Sequence, residues 1–318
     1  MKFYYAPMEG ITGYLYRNAH YTYFHHIDKY FSPFISANQN QSLRAKELKD
    51  ILPEHNQGQL LVPQLLSNHA KDFIQTSKVV KQLGYQEINL NLGCPSGTVV
   101  SKGKGAGFLA KREELDQFLD EIFSASITKI SVKTRIGKEQ PEEFYELIEI
   151  FNKYPMVELI IHPRVQKDFY KNKPNLTVFQ DALKLSKHPI CYNGNLFTAK
   201  DAMEFQKSFP DVNTLMLGRG LIANPGLIEG ITAGEKLNQD LLKEFHDKIY
   251  QDYRKILFGE RNVLFKMKEI WFYMIALFTN HDKYAKKIRK SERLYDYEEA
   301  VESLFREQEI NLNQPIIF

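Results

Sequence analysis

The sequence predicts an α/β protein, a (β/α)8 TIM barrel followed by a smaller C-terminal all-helical domain. Three observations support this prediction. Short apolar strand patterns alternate with helical patterns along most of the chain. Eight strands can be counted, and 318 residues leave room for a barrel of about 250 residues and a second domain. After residue 237 the pattern is helical, so we place the barrel at residues 1–237 and the helical domain at 238–318.

The eight predicted strands are separated by helices or loops of adequate length. They are Phe3–Ala6, Phe34–Ser36, Leu60–Leu66, Ile88–Leu92, Lys129–Arg135, Val157–His162, His188–Tyr192 and Thr214–Leu217. Pro63 lies inside the third run and indicates a bulge or a strand end, because proline lacks an N–H for the ladder. The second strand leads into a polar loop at residues 38–41. An open doubly wound sheet is the alternative, but the turn at residues 6–10 lacks its G-x-G-x-x-G pattern.

Composition limits the possible classes of protein. The net charge of +3 neither demonstrates nor opposes a nucleic-acid partner. Two distant cysteines argue against a disulfide framework and a structural zinc site, and they fit a reducing compartment. The N-terminus lacks the apolar core of a signal peptide, and the longest apolar run, Ile270–Phe278, is too short to span a bilayer. We expect a cytoplasmic monomer without a metal ion or membrane contact.

The stretch Ile88–Gly107 is the centre of the predicted site. Asn89, Asn91 and Gly93 alternate with apolar residues, so they share the opposite face of a strand. The strand ends at Cys94-Pro95 and leads into a loop rich in glycine and lysine. A free cysteine usually packs as a small hydrophobic residue, and we interpret Cys191 in this way. Cys94 lies instead at the carboxyl end of a strand, where α/β barrels keep their catalytic groups.

Polar side chains also follow the other strands, and in a barrel they would meet at one rim. They are Gln64, Lys133, His162, Arg164, Asn193, Asn195 and Arg219. Each could have a structural role; His162 could be a core histidine, and Lys133 and Arg135 could pair with glutamates. Together they lack an evident acidic partner, which predicts an anionic ligand. Glycine-containing turns end the last two strands, where barrels bind phosphate, so we predict a phosphorylated cofactor whose ring faces Lys133 and His162.

The predicted helical domain contains a basic stretch. Its members are Lys283, Lys286, Lys287, Arg289, Lys290 and Arg293. Such a run is usually a solvated helix face, and the alternative is a patch that contacts phosphates. Because the strand ends predict an anionic ligand, we favour the patch.

Several motifs together identify a family. They are APMEGITG, PQLL, NLGCP with KGKGAG, VKTR, HPR, YNGN and LGRG. Their content and order resemble the tRNA-dihydrouridine synthases. The resemblance implies an enzyme that reduces the C5–C6 double bond of selected uridines in tRNA, with FMN as cofactor and NADPH, or NADH, as electron donor. It also implies that the helical domain binds tRNA. Within the basic stretch described above, we predict Lys286, Lys287 and Lys290 as contacts with the tRNA.

The resemblance also implies residue roles. Ala6, Pro7 and Met8 would border the flavin, Gln64, Lys133 and His162 would bind its ring or ribityl chain, and Asn193, Gly194, Asn195, Gly218 and Arg219 would hold its phosphate. Asn91 would contact the uracil, Arg164 is a candidate substrate contact, and Cys94 would be the proton donor. The ordinary pKa of a thiol leaves it mostly protonated at neutral pH, so it can act as that acid.

Two other functions stay open at this point. One is an FMN barrel enzyme that acts on a free small molecule, such as a dihydroorotate or a dihydropyrimidine. It gives no role to the basic helices. The other is a non-catalytic RNA-binding protein on a barrel scaffold, which gives no role to Cys94, Lys133 and His162. The sequence does not indicate which uridine would be reduced.

Overall fold

The structure is a computed structural model that describes residues 1–38, 43–312 and 316. Most of the predicted polar loop, at residues 39–41, lies outside the described residues. The chain divides into two compact units. The first unit comprises Met1–Pro7, Asp28–Gly194 and Phe209–Met216, and the second comprises Met8–Ile27, Asn195–Ser208 and Leu217–Phe318. The domain boundary between residues 237 and 238 is a different division, and it stays a prediction.

One sheet contains ten short strands in the described part of the chain. They are β1 (Lys2–Tyr5), β2 (Lys29–Phe31), β3 (Ile35–Ser36), β4 (Leu61–Val62), β5 (Gln64–Leu66), β6 (Glu87–Leu92), β7 (Lys129–Gly137), β8 (Leu159–Val165), β9 (Ile190–Tyr192) and β10 (Thr214–Leu217). Their hydrogen-bonded order is β3-β5-β6-β7-β8-β9-β10-β1-β2-β4. Both ends of this order belong to strands that a proline interrupts.

The two interruptions explain why ten segments form an eight-stranded barrel. Pro33 separates β2 from β3, and Pro63 separates β4 from β5. The pairs on both sides of the breaks are parallel, with Tyr30 opposite Leu61 and Ile35 opposite Leu65. When each interrupted pair is counted as one strand, the sheet has eight strands and closes on itself. The predicted barrel is confirmed, and so is the interruption at Pro63.

Side chains from several strands fill the barrel interior. The buried cluster contains Tyr4, Ala6, Phe31, Val62, Ile160, Cys191 and Met216. Cys191 is fully buried within this cluster, which confirms its interpretation as a packing residue. The apolar face of β6 is also buried, since Ile88, Leu90 and Leu92 have no exposed surface.

Helices account for most of the remaining described residues. The first unit contains α2 (Ala45–Ile51), α3 (Ala70–Gln82), α4 (Gly97–Val100), α5 (Arg112–Ser124), α6 (Glu143–Phe151) and α7 (Leu176–Leu185). The second contains α1 (Tyr14–Tyr23), α8 (Ala199–Ser208), α9 (Arg219–Ala223), α10 (Leu227–Thr232), α11 (Gln239–Ile256), α12 (Glu260–Met274), α13 (Asp282–Lys290) and α14 (Leu294–Glu307). The predicted helical C-terminal region is therefore present.

Aromatic packing and a buried polar network hold the second unit together. The ring of Phe245 on α11 packs edge-on against Tyr16 of α1, with centroids 5.6 Å apart. The hydroxyl of Tyr297 accepts a hydrogen bond from Trp271 Nε1 at 2.8 Å and lies 2.6 Å from His246 Nε2. This network joins α11, α12 and α14. No helix within the described ranges is both long and apolar enough to cross a membrane.

Candidate active site

Polar side chains form a hydrogen-bonded chain across β5, β6 and β7. Asn89 Nδ2 donates to Ser131 Oγ at 3.0 Å, and Gln64 Nε2 donates to Asn89 Oδ1 at 2.7 Å. Asn91 Nδ2 then donates to Gln64 Oε1 at 2.7 Å. All four side chains are buried, and an unsatisfied buried amide would cost about 1–3 kcal/mol. The strand register thus gives partners to the amides of β6 and brings together two predicted site residues, Gln64 and Asn91.

Asn91 also fixes the turn that carries Cys94. Its Oδ1 accepts the backbone N–H of Gly93 at 3.0 Å and that of Cys94 at 2.9 Å. On the other side, the N–H of Ala106 donates to the Cys94 carbonyl at 3.0 Å. Cys94 is partly exposed and forms no disulfide. The backbone of Cys94 is therefore held from both sides, and the residue is partly exposed.

Two glycines let the following loop approach this turn. Gly105 has a φ of +56°, and a Cβ there would lie 2.8 Å from the Cys94 carbonyl oxygen. At Gly107 a Cβ would lie 2.7 Å from the carbonyl oxygen of Val100. Burial lowers the pKa of Lys104 in the same loop, and the nearby Asp72 opposes this shift. The G-x-G spacing of the loop is thus explained by close packing of Gly105 against Cys94 and of Gly107 against Val100.

Arg135 connects the Cys94 turn to the loop after β8. Its Nε donates to the carbonyl of Gly93 at 3.0 Å, and its Nη1 and Nη2 each donate at 2.9 Å to the carbonyls of Val165 and Phe169. The guanidinium also lies over the ring of Tyr170, 5.6 Å from its centroid. The sequence left open a glutamate partner for Arg135. The structure shows that its guanidinium binds backbone carbonyls instead.

Lys133 contributes a positive charge beside these groups. It lies opposite Asn91 in the register of β6 and β7, on the same face of the sheet. Within the described ranges, its Nζ forms neither a hydrogen bond nor an ion pair with a protein group. Burial, and secondarily the Arg135 charge, lowers the pKa of Lys133 to about 8. An anionic ligand next to this ammonium group would restore its charged form.

His162 and Arg164 interact directly at the end of β8. Arg164 Nη1 lies 2.8 Å from His162 Nε2, and Arg164 Nε donates to the carbonyl of Asn172 at 2.6 Å. A guanidinium can only donate, so His162 Nε2 accepts and the neutral ring carries its proton on Nδ1. Arg164 is 1% exposed and orients the imidazole. Its contact with the substrate stays a prediction.

The end of β9 is held by contacts to both neighbouring strands. The N–H of Asn193 donates to the Ile161 carbonyl at 2.9 Å, and its Nδ2 donates to the Met216 carbonyl at 2.8 Å. A Cβ at Gly194 would lie 2.0 Å from the Tyr192 hydroxyl oxygen, so a larger residue there would force the buried Tyr192 ring to move. Asn193 therefore fixes the position of the Gly194 backbone, which is predicted to bind phosphate.

Ala6, Pro7 and Met8 fall on either side of the division between the units. The Ala6 side chain belongs to the barrel core, and Pro7 is the last residue of that segment of the first unit. In the second unit, the carbonyl of Met8 accepts the N–H of Ile11 and of Thr12, while its own N–H donates to Thr12 Oγ1 at 2.8 Å. These bonds close a tight turn around Met8. Whether the three residues border a flavin stays a prediction.

The second unit also contains the remaining predicted phosphate contacts. Arg219 Nη2 donates to Asn195 Oδ1 at 2.8 Å, and its guanidinium lies over the ring of Phe197. Gly218 precedes α9 directly. At Gly220 a Cβ would lie 2.2 Å from the carbonyl oxygen of Leu196. The second unit thus brings Asn195 and Arg219 together.

The three predicted RNA contacts lie on α13. Lys286, Lys287 and Lys290 are all exposed, and so is Arg289 beside them. Within the described ranges, no carboxylate forms an ion pair with any of these four side chains. This arrangement leaves their charges available to an external anion.

Several residues of the strand-end network were not predicted as site residues. They are Ser131, Arg135, Gln166 and Tyr170. Gln166 Nε2 donates to the Pro95 carbonyl at 3.0 Å, and the Tyr170 ring lies 6.1 Å from that of His162. The period-two pattern of β7 places Ser131 and Arg135 on the face of Lys133, and this signal could have identified them. Gln166 and Tyr170 lie in a loop whose sequence gives no comparable signal.

Comparison with known proteins identifies the family. The family model described as dihydrouridine synthase (Dus) matches residues 4–316. The chain belongs to the dihydrouridine synthase family. This confirms the family and the enzyme class predicted from the motifs. In the part of the chain that the structure describes, no group of three His, Cys, Asp or Glu side chains could hold a metal ion.

Relatives and solved structures agree with this assignment. The chain is 24% identical over 261 residues to a probable tRNA-dihydrouridine synthase of Staphylococcus aureus strain COL, covering 79% of this chain and 77% of the relative. It is 28% identical over 246 residues to the tRNA-dihydrouridine(16) synthase of Pasteurella multocida strain Pm70, covering 74% and 76%.

The similar solved structures bear on the fold alone. The old yellow enzyme TcOYE with pHBA has a TM-score of 0.54 and 10% identity, covering 81% of this chain and 96% of that one. A morphinone reductase variant in complex with tetrahydroNAD has a TM-score of 0.53 and 14% identity, covering 74% and 88%. At these identities the match supports the barrel fold.

Proposed function

We propose that this chain reduces the C5–C6 double bond of uridines in tRNA, with FMN as its cofactor and NADPH, or NADH, as electron donor. Family membership supports the reaction class, and the names of the two relatives indicate tRNA as substrate. The observation that carries the proposal is the end of β6. There, Asn91 fixes the partly exposed Cys94 next to the ammonium group of Lys133.

The residues of the first unit fit a bound flavin. Lys133 offers a cation without a carboxylate partner in the described ranges, and His162 carries its ring proton on Nδ1 because Arg164 donates to Nε2. Gln64, Lys133 and His162 would therefore hold the ring or ribityl chain, and Asn193 and Gly194 would bind the phosphate. In the second unit we assign Asn195, Gly218 and Arg219 to the phosphate and Met8 to the ring. When bound, FMN supplies the hydride for C6 of the uracil.

Cys94 supplies the proton that the reaction needs. Addition of a hydride at C6 leaves a negative charge on the uracil, and a proton delivered to C5 completes the reduction. The thiol at the strand end can deliver this proton, and the two bonds from Gly93 and Cys94 to Asn91 fix the position of its backbone. The reaction oxidises one NADPH for each uridine reduced.

Lys133 stabilises negative charge during catalysis. Its pKa of about 8 leaves most molecules protonated at neutral pH, and a nearby anion raises that fraction. The ammonium group would then stabilise negative charge on a bound flavin in a partly desolvated setting, where electrostatic stabilisation is strong. Asn91 has one amide hydrogen beyond its bond to Gln64, and we assign that hydrogen to the uracil.

The second unit contributes RNA contacts. Lys286, Lys287 and Lys290 present exposed positive charges that suit phosphates of the tRNA backbone. A uridine in folded tRNA must leave its stack before an enzyme can reach its C5 and C6 atoms, and such contacts offset the cost. We place this activity in the cytoplasm.

The deciding experiment is a visible absorbance spectrum of the purified protein, before and after anaerobic NADPH. Flavin bands that bleach, followed by dihydrouridine formation in added unmodified tRNA, are the expected result. A protein without flavin bands, even after FMN is added, would refute the cofactor assignment. Bleaching without any reaction of tRNA, together with turnover of a free pyrimidine that is unaffected by neutralising Lys286, Lys287 and Lys290, would favour a small-molecule reductase.

A further inference from the structure

The outward face of α12 carries two large exposed aromatic side chains. Phe265 is 60% exposed and Phe272 is 63% exposed. They are seven residues apart, which is two helical turns, so they lie on the same face. Phe258, just before the helix, is 96% exposed. Single exposed phenylalanines are ordinary, but several along one helix indicate a binding surface.

The two phenylalanines are not required for packing of the helix. The opposite face of α12 is buried through Met267, Ile270 and Trp271, each at most 2% exposed. This face anchors α12 in the second unit. The aromatic rings of Phe265 and Phe272 can therefore be removed without emptying the core, which makes them suitable for a binding test.

Neighbouring contacts connect this face to the segments assigned to the cofactor in the second unit. Lys266, next to Phe265, donates to the carbonyl of Gly10 and to Glu269, whose carboxylate lies against Gly10. Gly10 belongs to the turn that contains Met8. α12 also packs against α9, which begins at Arg219. The aromatic face therefore lies beside Lys266 and Glu269, the two side chains that contact the turn containing Met8.

Charge around the face favours a polyanionic partner. Arg261 is exposed on the same side of α12 as Phe265. Lys268 Nζ donates to the carbonyl of Ser291, directly after α13, and so connects α12 to the basic end of that helix. Between residues 282 and 293 the chain has six basic and two acidic residues. Exposed aromatic rings beside exposed basic side chains are typical of surfaces that bind single-stranded nucleic acid.

We propose that Phe265 and Phe272 form a stacking platform for unpaired bases of the tRNA, with the basic residues of α13 contacting the adjacent phosphates. The inference rests on the proposed function, because it names the surface on which that substrate docks. Stacking on a ring depends on its face and tolerates any base, so the platform contributes affinity rather than sequence specificity. A second copy of the chain or an apolar protein partner would not require the adjacent positive charge.

The test compares binding of unmodified tRNA to wild type and to a Phe265→Ala/Phe272→Ala variant. We expect the Kd of the variant to be roughly tenfold to a hundredfold higher, as expected for the loss of one or two stacked bases. The slope of log Kd against log salt concentration should stay unchanged, because no phosphate contact is lost. Neutralising Lys286, Lys287 and Lys290 should instead reduce that slope. Met203→Ala on α8, at a side chain that is 54% exposed, is the matched control and should leave Kd unchanged.

A tryptophan at the same position gives a direct readout of stacking. The chain has one native tryptophan, Trp271, which is buried, so new emission reports on the introduced ring. Phe265→Trp should retain wild-type affinity, and its fluorescence should be quenched when tRNA binds. The platform would be refuted if Phe265→Ala/Phe272→Ala bound tRNA with the wild-type Kd. It would also be refuted if the fluorescence of Phe265→Trp did not change when tRNA binds.

Two further results distinguish the platform from the proposed function. A wild-type dimer that the double alanine variant converts to a monomer would assign the face to a second copy and overturn the platform. Wild type that binds tRNA through this face without reducing uridine would refute the proposed function and leave the platform standing. Flavin content and anaerobic bleaching by NADPH should be identical in all variants, because none of these substitutions touches a proposed flavin contact.

Discussion

Two lysines in the barrel have opposite surroundings. Lys29, at the amino end of β2, forms a 2.7 Å ion pair with Glu87. Lys133, in the middle of β7, has no carboxylate partner in the described ranges. The first charge is neutralised within the fold, where it contributes to stability. The second charge has no such partner, and its partial burial lowers the pKa of the ammonium group.

The two cysteines show the same contrast. Cys191 is fully buried in the barrel core, and burial raises the pKa of its thiol well above the ordinary value. Cys94 is partly exposed at a strand end, and hydrogen bonds fix its backbone. The same residue type is therefore a packing group within one strand and a partly exposed thiol just after the end of another.

The largest expected difference is between the two cysteines. Cys94→Ala should lower kcat for tRNA reduction by about 10²- to 10⁴-fold, because it removes the proposed general acid. Cys191→Ala should leave kcat within about threefold and lower the free energy of unfolding by about 1–2 kcal/mol through a small cavity. Single-turnover kinetics and urea denaturation measure the two effects. Equal kcat values for Cys94→Ala and wild type would refute the role of the thiol.

A second comparison replaces each lysine by methionine. Lys133→Met should weaken FMN binding by about 10- to 100-fold, because a hydrogen bond to a charged group is worth about 1.5–3 kcal/mol. Lys29→Met should leave FMN affinity nearly unchanged and lower the free energy of unfolding by about 1–2 kcal/mol, since Glu87 loses its partner. Fluorescence titration of the apoprotein with FMN measures affinity. An equal loss of FMN affinity in both variants would refute the proposal that Lys133, and not Lys29, contacts the cofactor.

A third prediction concerns Glu158, a buried carboxylate on which the positive charge of Lys29 acts. Tyr4 donates to one of its carboxylate oxygens at 3.0 Å, and burial raises the pKa of Glu158 to about 7 from 4.5. The folded protein therefore binds a proton that the unfolded chain has released, and stability falls as pH rises through this interval. Glu158→Gln should raise the free energy of unfolding by at most about 3 kcal/mol at about pH 8, and much less near pH 5.

Urea denaturation of wild type and Glu158→Gln at both pH values measures this difference. Glu87→Gln is the control, because it removes the partner of Lys29 and should destabilise at both values. A Glu158→Gln variant that is less stable than wild type at the higher pH would contradict the assignment.

The smallest effect concerns the pH dependence of FMN binding. The pKa of Lys133 is lowered to about 8 in the flavin-free protein, so its positive charge is lost as pH rises through that value. FMN affinity should then fall by about tenfold per pH unit above the pKa. Lys133→Arg should remove this decline, since guanidinium stays charged. Wild-type affinity that does not change between about pH 7 and pH 9 would show that the charge of Lys133 does not contribute.

The sequence predicted the barrel because strand and helix patterns alternate strongly. It missed β2, whose three residues follow Asp28 and begin with Lys29, because such a short segment has no periodicity. It placed the second strand only at residues 34–36, after Pro33. The structure shows that both segments belong to one interrupted strand, which depends on pairing with β4 and β5 and cannot be seen in local composition.

The residue types of the candidate site could be predicted from the strand ends. The hydrogen bonds between these residues could not. Cys94, Lys133 and His162 were predicted as site residues from position and motif, and their roles stay predictions. The partners of Asn89 and Asn91 come from β5 and β7, so they depend on strand register. Arg135 reaches carbonyls about 30 positions further along the chain, at Val165 and Phe169. Contacts at such sequence separation arise only when the sheet is assembled.

The side-chain amides of Asn91, Gln64 and Asn89 can be oriented in only one way, with each nitrogen donating to the next group in the series. The backbone N–H groups of Gly93 and Cys94 can only donate, so Asn91 must turn its oxygen toward them and its nitrogen toward Gln64. Gln64 and Asn89 are then oriented in the same sense, since each must present an oxygen to the preceding donor. A turn of main chain thus dictates the direction of dipoles across three strands. An Asn91→Asp substitution would still accept the N–H groups of Gly93 and Cys94, but it would offer Gln64 an oxygen in place of an amide donor. Gln64 would then have to turn its nitrogen toward residue 91. The hydrogen bonds from Gln64 to Asn89 and from Asn89 to Ser131 would reverse direction as a result.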